Sequence, residues 1–281
     1  MNTAANQTPA RRIALGLEYD GSAFSGFQKQ SSPALPTVQG SLETAISRVA
    51  DTSITTTCAG RTDAGVHATC QIVHFDTPVD RGIKAWTEGV NSLLPDSVRV
   101  LWAHAVSDEF HARFSATARR YHYVILQRDT ASALLAGKVT HWRGKLNVAA
   151  MHEAAQMLLG ERDFSSFRAA GCQSKTPNRN VHHARVVQYG AYIVLDIAAN
   201  AFLQHMVRNI AGTLLDIGQG KYPAGWMREL LGKADRTQAS MTAPGDGLYL
   251  SSVTYPDSFA LPIQLNLPPL LLGSSGYERI S

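Results

Sequence analysis

The sequence predicts an α+β fold made of two tandem βαββαβ units, and three observations carry that prediction. Short runs alternate apolar and polar residues, apolar stripes at helical spacing fall between them, and the order strand, helix, strand, strand, helix, strand is read twice along 281 residues. In the first unit, Ile13, Leu15, Leu17 and Tyr19 alternate with Ala14, Gly16, Glu18 and Asp20, a strand ended by the Asp20-Gly21 turn signal. Val38, Leu42, Ala45, Ile46 and Val49 share one helical stripe after the Pro36-Thr37 start signal. Ser53 to Cys58, rich in Thr and Ile, and the alternating Thr69 to Phe75 read as two strands. Ile83, Trp86, Val90, Leu93 and Leu94 mark a second helix stopped by Pro95, and Val98 to Val106 is the closing strand.

The second unit repeats this order. Thr117 to Gln127 is a strand and Val148 to Leu159 a helix; Ala184 to Gln188 and Tyr192 to Ala198 form a hairpin across Tyr189-Gly190-Ala191. Ala201 to Ile217 reads as a long helix with Leu203, Met206, Val207, Ile210 and Leu214 on its buried stripe, followed by helix Trp226 to Leu231 and strand Leu248 to Val253. Element order alone, without any sequence repeat between the halves, implies two ferredoxin-like units. The boundary falls near Ser107 to Arg113, giving domains over 11–110 and 111–257, with flexible tails over 1–10 and 258–281. A sheet covered by helices on one face leaves the other open, and two such open faces joined together would form a cleft holding the 59–68 loop.

Composition narrows the function classes. The chain is 44% hydrophobic, no apolar run approaches the roughly 20 residues that span a bilayer, and Met1 to Arg12 is polar. A cytoplasmic location is the default expectation, with no membrane partner. Cys58, Cys70 and Cys172 form no CxxC, so neither a disulfide framework nor a thiolate zinc site is indicated. The net charge of +4 is compatible with a polyanion. Arginines at 61, 81, 113, 119, 120, 128, 162, 168, 179 and 208 often adjoin aromatics or histidines, which suits RNA, although ordinary surface packing also produces such neighbours.

One stretch concentrates chemistry. Ala59-Gly60-Arg61-Thr62-Asp63-Ala64-Gly65-Val66-His67-Ala68 puts a single carboxylate in a glycine-hinged loop between two strands, beside an arginine that would favour its ionised form if the side chains meet. The alternative is a hairpin turn in which Asp63 bonds its own backbone.

The blocks Tyr19-Asp20-Gly21-Ser22, Phe27-Gln28-Lys29-Gln30, Gly60 to Ala68, Val73-His74-Phe75, Asn91 to Pro95, Phe110 to Ala116, Arg120-Tyr121-His122-Tyr123, Asp163 to Arg168, His205 to Arg208, Ala243-Pro244 and Gly247-Leu248 resemble, in order, the TruA family of tRNA pseudouridine synthases. They run from Ile13 to Pro256. Phe27 departs from the family's usual Trp but keeps a ring. The resemblance implies a pseudouridine-synthase-type sheet with a central cleft, and isomerisation of uridine at positions 38, 39 and 40 of the tRNA anticodon stem-loop. It implies no cofactor, no metal and a homodimer. Asp63 matches the catalytic carboxylate, acting as a nucleophile or as a base toward the sugar. Arg61 matches a residue that would keep Asp63 ionised and hold the target nucleotide out of the helix. Tyr121 matches the tyrosine that stacks on the base, Arg208 the arginine that pairs with the aspartate, and Leu248 an apolar residue of the uracil pocket. Arg81, Arg113, Phe167 and Arg168 are expected RNA contacts.

Two competing readings stand beside the enzyme. One is an RNA-binding module without chemistry, in which Asp63 is dispensable. The other is a metal hydrolase built on His67, His74 and Asp76, which lack a complete ligand set.

Overall fold

A computed structural model of the protein describes residues 11–30, 35–263 and 265–272. The expected tail over 1–10 lies outside the described residues, as do 273–281 of the expected C-terminal tail. The strands are β1 (Arg11–Tyr19), β2 (Thr57–Cys58), β3 (His67–Thr77), β4 (Val98–Val106), β5 (Ala118–Gln127), β6 (Thr140–Trp142), β7 (Gly160–Asp163), β8 (Asn178–Tyr189), β9 (Tyr192–Ala199) and β10 (Leu248–Thr254). The helices are α1 (Val38–Ala50), α2 (Val148–Gln156), α3 (Met206–Gly218) and α4 (Trp226–Lys233). Thr37 caps α1 by accepting from the Gly40 amide, and Asn147 does the same for α2 with Ala150.

All ten strands belong to one sheet, in the order β4-β1-β3-β10-β5-β9-β8-β7, with β2 on β3 and β6 on β5. Taken by halves, the order is β4-β1-β3-β2 and then β10-β5-β9-β8, the same arrangement twice and the one the duplicated element order predicts. β2 pairs with β3 only at Thr57↔His74 and Cys58↔Val73. The same edge of β3 is then taken, at Tyr249↔His67 and Leu250↔Ala68, by β10 from the second unit. Residues 59–66 link β2 to β3 and emerge at this seam.

The cleft lies elsewhere than the open faces. Tyr121, Tyr123 and Ile125 of β5 share the main core with Ile210 and Leu214 of α3, whereas Val124 and Leu126 point into a second cluster on the opposite face. Tyr121 lines the cleft, so the cleft is on the helix-bearing side, between the helices of the two units. The opposite face of the second unit is covered in part by the expected flexible tail. Leu271, fully buried, joins Val124, Leu126, Val139, Val194 and Tyr249, and Asn266 Nδ2 donates to Thr69 O at 3.2 Å. The Pro-rich composition of 258–281 concealed Leu271, whose full burial stabilises the packed conformation by about 2 kcal/mol.

Four further elements differ from expectation. β6 and β7 are short strands with no alternation of their own, held by β5 and β8. The helix expected over Ile83 to Leu94 contains a π-helical turn at Ala85–Gly89 around the buried Trp86. The helix expected from Ala201 begins only at Met206, which leaves 201–205 as a turn at the cleft.

Candidate active site

The loop carrying Asp63 is fixed by bonds to both of its flanks. The Ala59 amide donates to Ile72 O at 2.8 Å, and the buried Gln71 donates through Nε2 to Gly60 O at 2.7 Å. The Tyr19 and Thr62 hydroxyls lie 2.7 Å apart, and the Phe27 amide donates to Thr62 O at 3.0 Å. Gly65 has φ +76°, a left-handed conformation that other residues adopt at a cost, and a Cβ there would lie 3.1 Å from Asp246 Oδ1. At Gly21 a Cβ would sit 2.0 Å from Val66 O, so only glycine admits this close passage. A loop held this tightly keeps its carboxylate in one place, which is what positioned chemistry requires.

Asp63 does not turn back on its own backbone. Its Oδ2 accepts from Arg208 Nη1 at 2.9 Å, and His205 Nε2 is 3.4 Å from the same oxygen. Both partners come from the second unit. Arg208 stands in the first turn of α3, where the positive end of the helix favours a nearby carboxylate. Its Nε donates to Ala243 O at 2.8 Å, and the Ala243 amide donates to the Arg208 backbone carbonyl at 3.2 Å, so Ala243 holds both the guanidinium and the backbone that carries it. His205 precedes the helix with φ +62°, a conformation costing about 1–3 kcal/mol that the surrounding bonds must hold. Among the described residues the basic side chains within 4 Å of the Asp63 carboxylate are Arg208 and His205, and Arg61 is not one of them.

A cleft of about 850 Å³ surrounds this pair, lined by Arg61, Tyr121, Phe202, His205 and Leu248 among others. Tyr121 meets Phe202 edge-on at 5.1 Å and 86°. Burial pushes its phenol well above the usual tyrosine range; Arg119 opposes that shift and Asp63 adds to it. The ring therefore stays a neutral phenol at physiological pH. Arg119, two residues earlier and also buried, donates to the carbonyls of Ala59 and Asn200 at 3.0 Å, Ala116 at 3.0 Å and Arg113 at 2.6 Å. One planar guanidinium thus ties the Asp63 loop to the segment leading into α3. The neighbouring arginine and tyrosine in the sequence gave no sign of this, because the partners are backbone carbonyls far away along the chain.

The other expected contacts disperse. Arg113 lines the cleft, whereas Arg81 follows the far end of β3, about 33 Å along the strand from its start. Phe167 is fully buried against Phe164, so the expected RNA contact there is corrected: its ring is core. Arg168 points inward, donating to Cys172 O at 3.0 Å and Ser174 O at 2.7 Å, and so shapes the 171–174 loop that does line the cleft.

The histidines of the metal reading are engaged elsewhere. His67 Nδ1 accepts from the Gly21 amide and its Nε2 meets Asp246 O, both at 3.1 Å, while His74 Nδ1 accepts from the Ala112 amide at 3.1 Å. Asp76 is held by a two-pronged pair with Arg12 at 2.7 and 2.8 Å. Among the described residues no three or more His, Cys, Asp or Glu side chains gather as a metal site, and no helix is long and apolar enough to cross a membrane.

A family model described as tRNA pseudouridine synthase matches residues 17–115 and 154–256, which include Asp63, Arg208 and Leu248, while Tyr121 lies between the two matched stretches. The chain belongs to the tRNA pseudouridine synthase family. A relative from Shewanella amazonensis named "tRNA pseudouridine synthase A" is 58% identical over 261 residues, 93% of this chain and 99% of the relative. Relatives of that name from Shewanella sp. strain MR-4 and Shewanella frigidimarina are 56% and 54% identical over the same coverage. A solved archaeal box H/ACA sRNP Nop10-Cbf5 complex aligns with 84% of this chain and 47% of its own at 12% identity and a TM-score of 0.30. Pseudouridine synthases rearrange their substrate without adding or removing atoms, and this family member is accordingly an isomerase.

Proposed function

We propose that the protein converts uridine to pseudouridine at positions 38, 39 and 40 of the tRNA anticodon stem-loop, with Asp63 as the reacting carboxylate. The observation that carries this reading is the Asp63–Arg208 pair at 2.9 Å, inside a cleft lined by Tyr121 and Leu248. The reaction breaks the bond from C1′ to N1, turns the uracil and forms a bond from C1′ to C5, while the hydrogen on C5 leaves as a proton and N1 gains one. No group is transferred and no oxidation state changes, so the net reaction calls for no cofactor. A single anionic oxygen serves either route, attack on the nucleotide or removal of a sugar proton.

The remaining side chains divide the work. The target nucleotide must leave the stem, at a cost of a few kcal/mol that protein contacts offset. Arg61, exposed at the cleft, is suited to fill the vacated position. Tyr121, kept neutral by burial, stacks on the uracil and is the candidate for the proton transfer that completes the carbon glycoside. Leu248 supplies an apolar wall. The protein acts in the cytoplasm as a homodimer, in which two copies with net charge +4 each share one tRNA.

Incubation with tRNA tritiated at C5 of uridine tests the reading. The wild-type protein releases tritium, with an active homologue as control, and Asp63→Ala releases none while still binding tRNA. Turnover by Asp63→Ala at the wild-type rate would overturn the assignment and favour a binding module.

A further inference from the structure

At the mouth of the cleft, the turn His111 to Ser115 holds a phenylalanine ring out in water. Phe114 is 76% exposed, and an apolar ring left in water is a loss to stability. Yet the turn that presents it is tightly made. The Ser115 amide donates to His111 O at 2.9 Å, the His111 amide donates to Ser115 Oγ at 3.0 Å, and His111 Nδ1 accepts from the amides of both Arg113 and Phe114 at 3.2 Å. Ala112 is anchored through its amide to His74 and through its carbonyl to the Tyr255 hydroxyl at 2.5 Å. The imidazole of His111 stacks on the Phe114 ring, centroids 4.3 Å apart at 27°. Arg113 has its guanidinium 5.5 Å from the ring centroid, and it lines the cleft that holds Asp63. Among the described residues the other large apolar side chains left exposed, Leu134, Met241 and Leu272 foremost, carry no aromatic ring.

We propose that Phe114 is a stacking platform for a nucleobase of the RNA adjoining the target uridine, with Arg113 beside it for the phosphate. The inference rests on the RNA reading above and adds a subsite to it. Extruding one nucleotide strips its neighbours of a stacking partner, and a flat ring fixed at the cleft mouth replaces what is lost. Aromatic rings and guanidinium planes are the groups that bind unstacked bases, and every base offers a face to them. A rigid ring gives up little freedom on binding, which explains why four hydrogen bonds are invested in a five-residue turn.

The test compares Phe114→Ala, Phe114→Leu and Phe114→Trp with the wild type. Tritium-release kinetics on tRNA are measured together with sedimentation velocity, melting temperature and indole emission. Alanine and leucine raise KM about tenfold, the loss expected for one base stack, and leave kcat within about threefold. Tryptophan keeps KM within about twofold, and its added emission is quenched by anticodon stem-loop RNA, measured against the wild-type background. Unchanged KM in Phe114→Ala would overturn the proposal. So would full rescue by leucine accompanied by dissociation of an assembly in Phe114→Ala, which would make the ring a protein contact. Should the wild type bind RNA without turnover, the functional reading fails separately, and the quench alone decides the stack: its absence refutes it.

Discussion

Replacing Arg208 by methionine removes the charge that faces Asp63 while keeping a long unbranched side chain in the first turn of α3. Two unit charges about 4 Å apart attract by about 4 kcal/mol at an effective dielectric constant near 20. Asp63 and Arg208 retain 28% and 17% of their side-chain exposure, so solvent screens part of this attraction, and about 1.5–3 kcal/mol of a charge-assisted hydrogen bond remains. If that interaction orients the carboxylate in the transition state, kcat falls by about 10- to 150-fold, at 1.36 kcal/mol per factor of ten. Arg208→Lys restores a charge but cannot reach both Asp63 and Ala243 O, and should lie between the two. The assay is tritium release under saturating tRNA, with circular dichroism melting to confirm the fold. A kcat within twofold of wild type in a folded Arg208→Met protein would refute the reasoning. A rise in KM alone would assign the guanidinium to the RNA rather than to the carboxylate.

Arg119→Met leaves four carbonyls without their shared donor and should cost at least about 3 kcal/mol of stability, read by urea denaturation, together with a fall in kcat as the Ala59 end of the loop loosens. His74 is lowered to about 4 by burial, with Arg12 and His111 adding to the effect and Asp76 opposing it. A histidine with a lowered folded-state pKa contributes fully above its unfolded value near 6.5, and stability is lost as pH falls from there toward 4. After allowance for solvent screening the loss is about 1–2 kcal/mol, and His74→Gln should flatten that part of the stability profile; an unchanged slope between pH 6.5 and 4.5 would exclude His74 as its source. Leu271→Ala opens a cavity on the face away from the cleft and should cost about 2–4 kcal/mol without changing kcat. A normal melting temperature in that variant would return the C-terminal segment to the status of a loose tail.

The architecture was legible wherever one residue period dominated. Alternation marks β1, β3, β4 and β5 in the sequence and a stripe marks α1; β4 and α1 bury one side, whereas β1, β3 and β5 are buried over nearly their whole length, β5 between cores on its two faces. The pattern could not report β6 and β7, three and four residues long, whose pairing is supplied by a neighbour. It also ran the long helix five residues too far. Leu203 fits the helical stripe, but it and Phe202 line the cleft and meet the core from a turn, and the helix starts only after His205. Within the site, the loop drew notice through its own composition, whereas its electrostatics did not. Sequence proximity suggested Arg61 as the partner of Asp63, whereas the resemblance pointed to Arg208, and it is Arg208, 145 positions away, that folding brings to the carboxylate. Phe167 illustrates the converse error: an aromatic beside an arginine looks like a nucleic-acid contact until its burial is known.

The seam between the units explains why the carboxylate and its arginine come from different halves. β3 and β10 share only two paired residues, too short a ladder to hold two sheets in register. Side chains complete the join on both faces. On one face His67 stacks on Tyr249 at 4.6 Å, the Tyr249 hydroxyl donates to Lys138 O at 2.6 Å, and the Lys138 ammonium pairs with Asp20. On the other, Arg119 grips Ala59 and Asn200, and Arg208 grips Asp63. The bonds that align the two units are therefore also the bonds that aim the Asp63 carboxylate. Each unit alone would carry half of the site, a carboxylate without its cation or a cation without its carboxylate, and β10 brings the halves together because it takes the edge of β3 that β2 leaves unused.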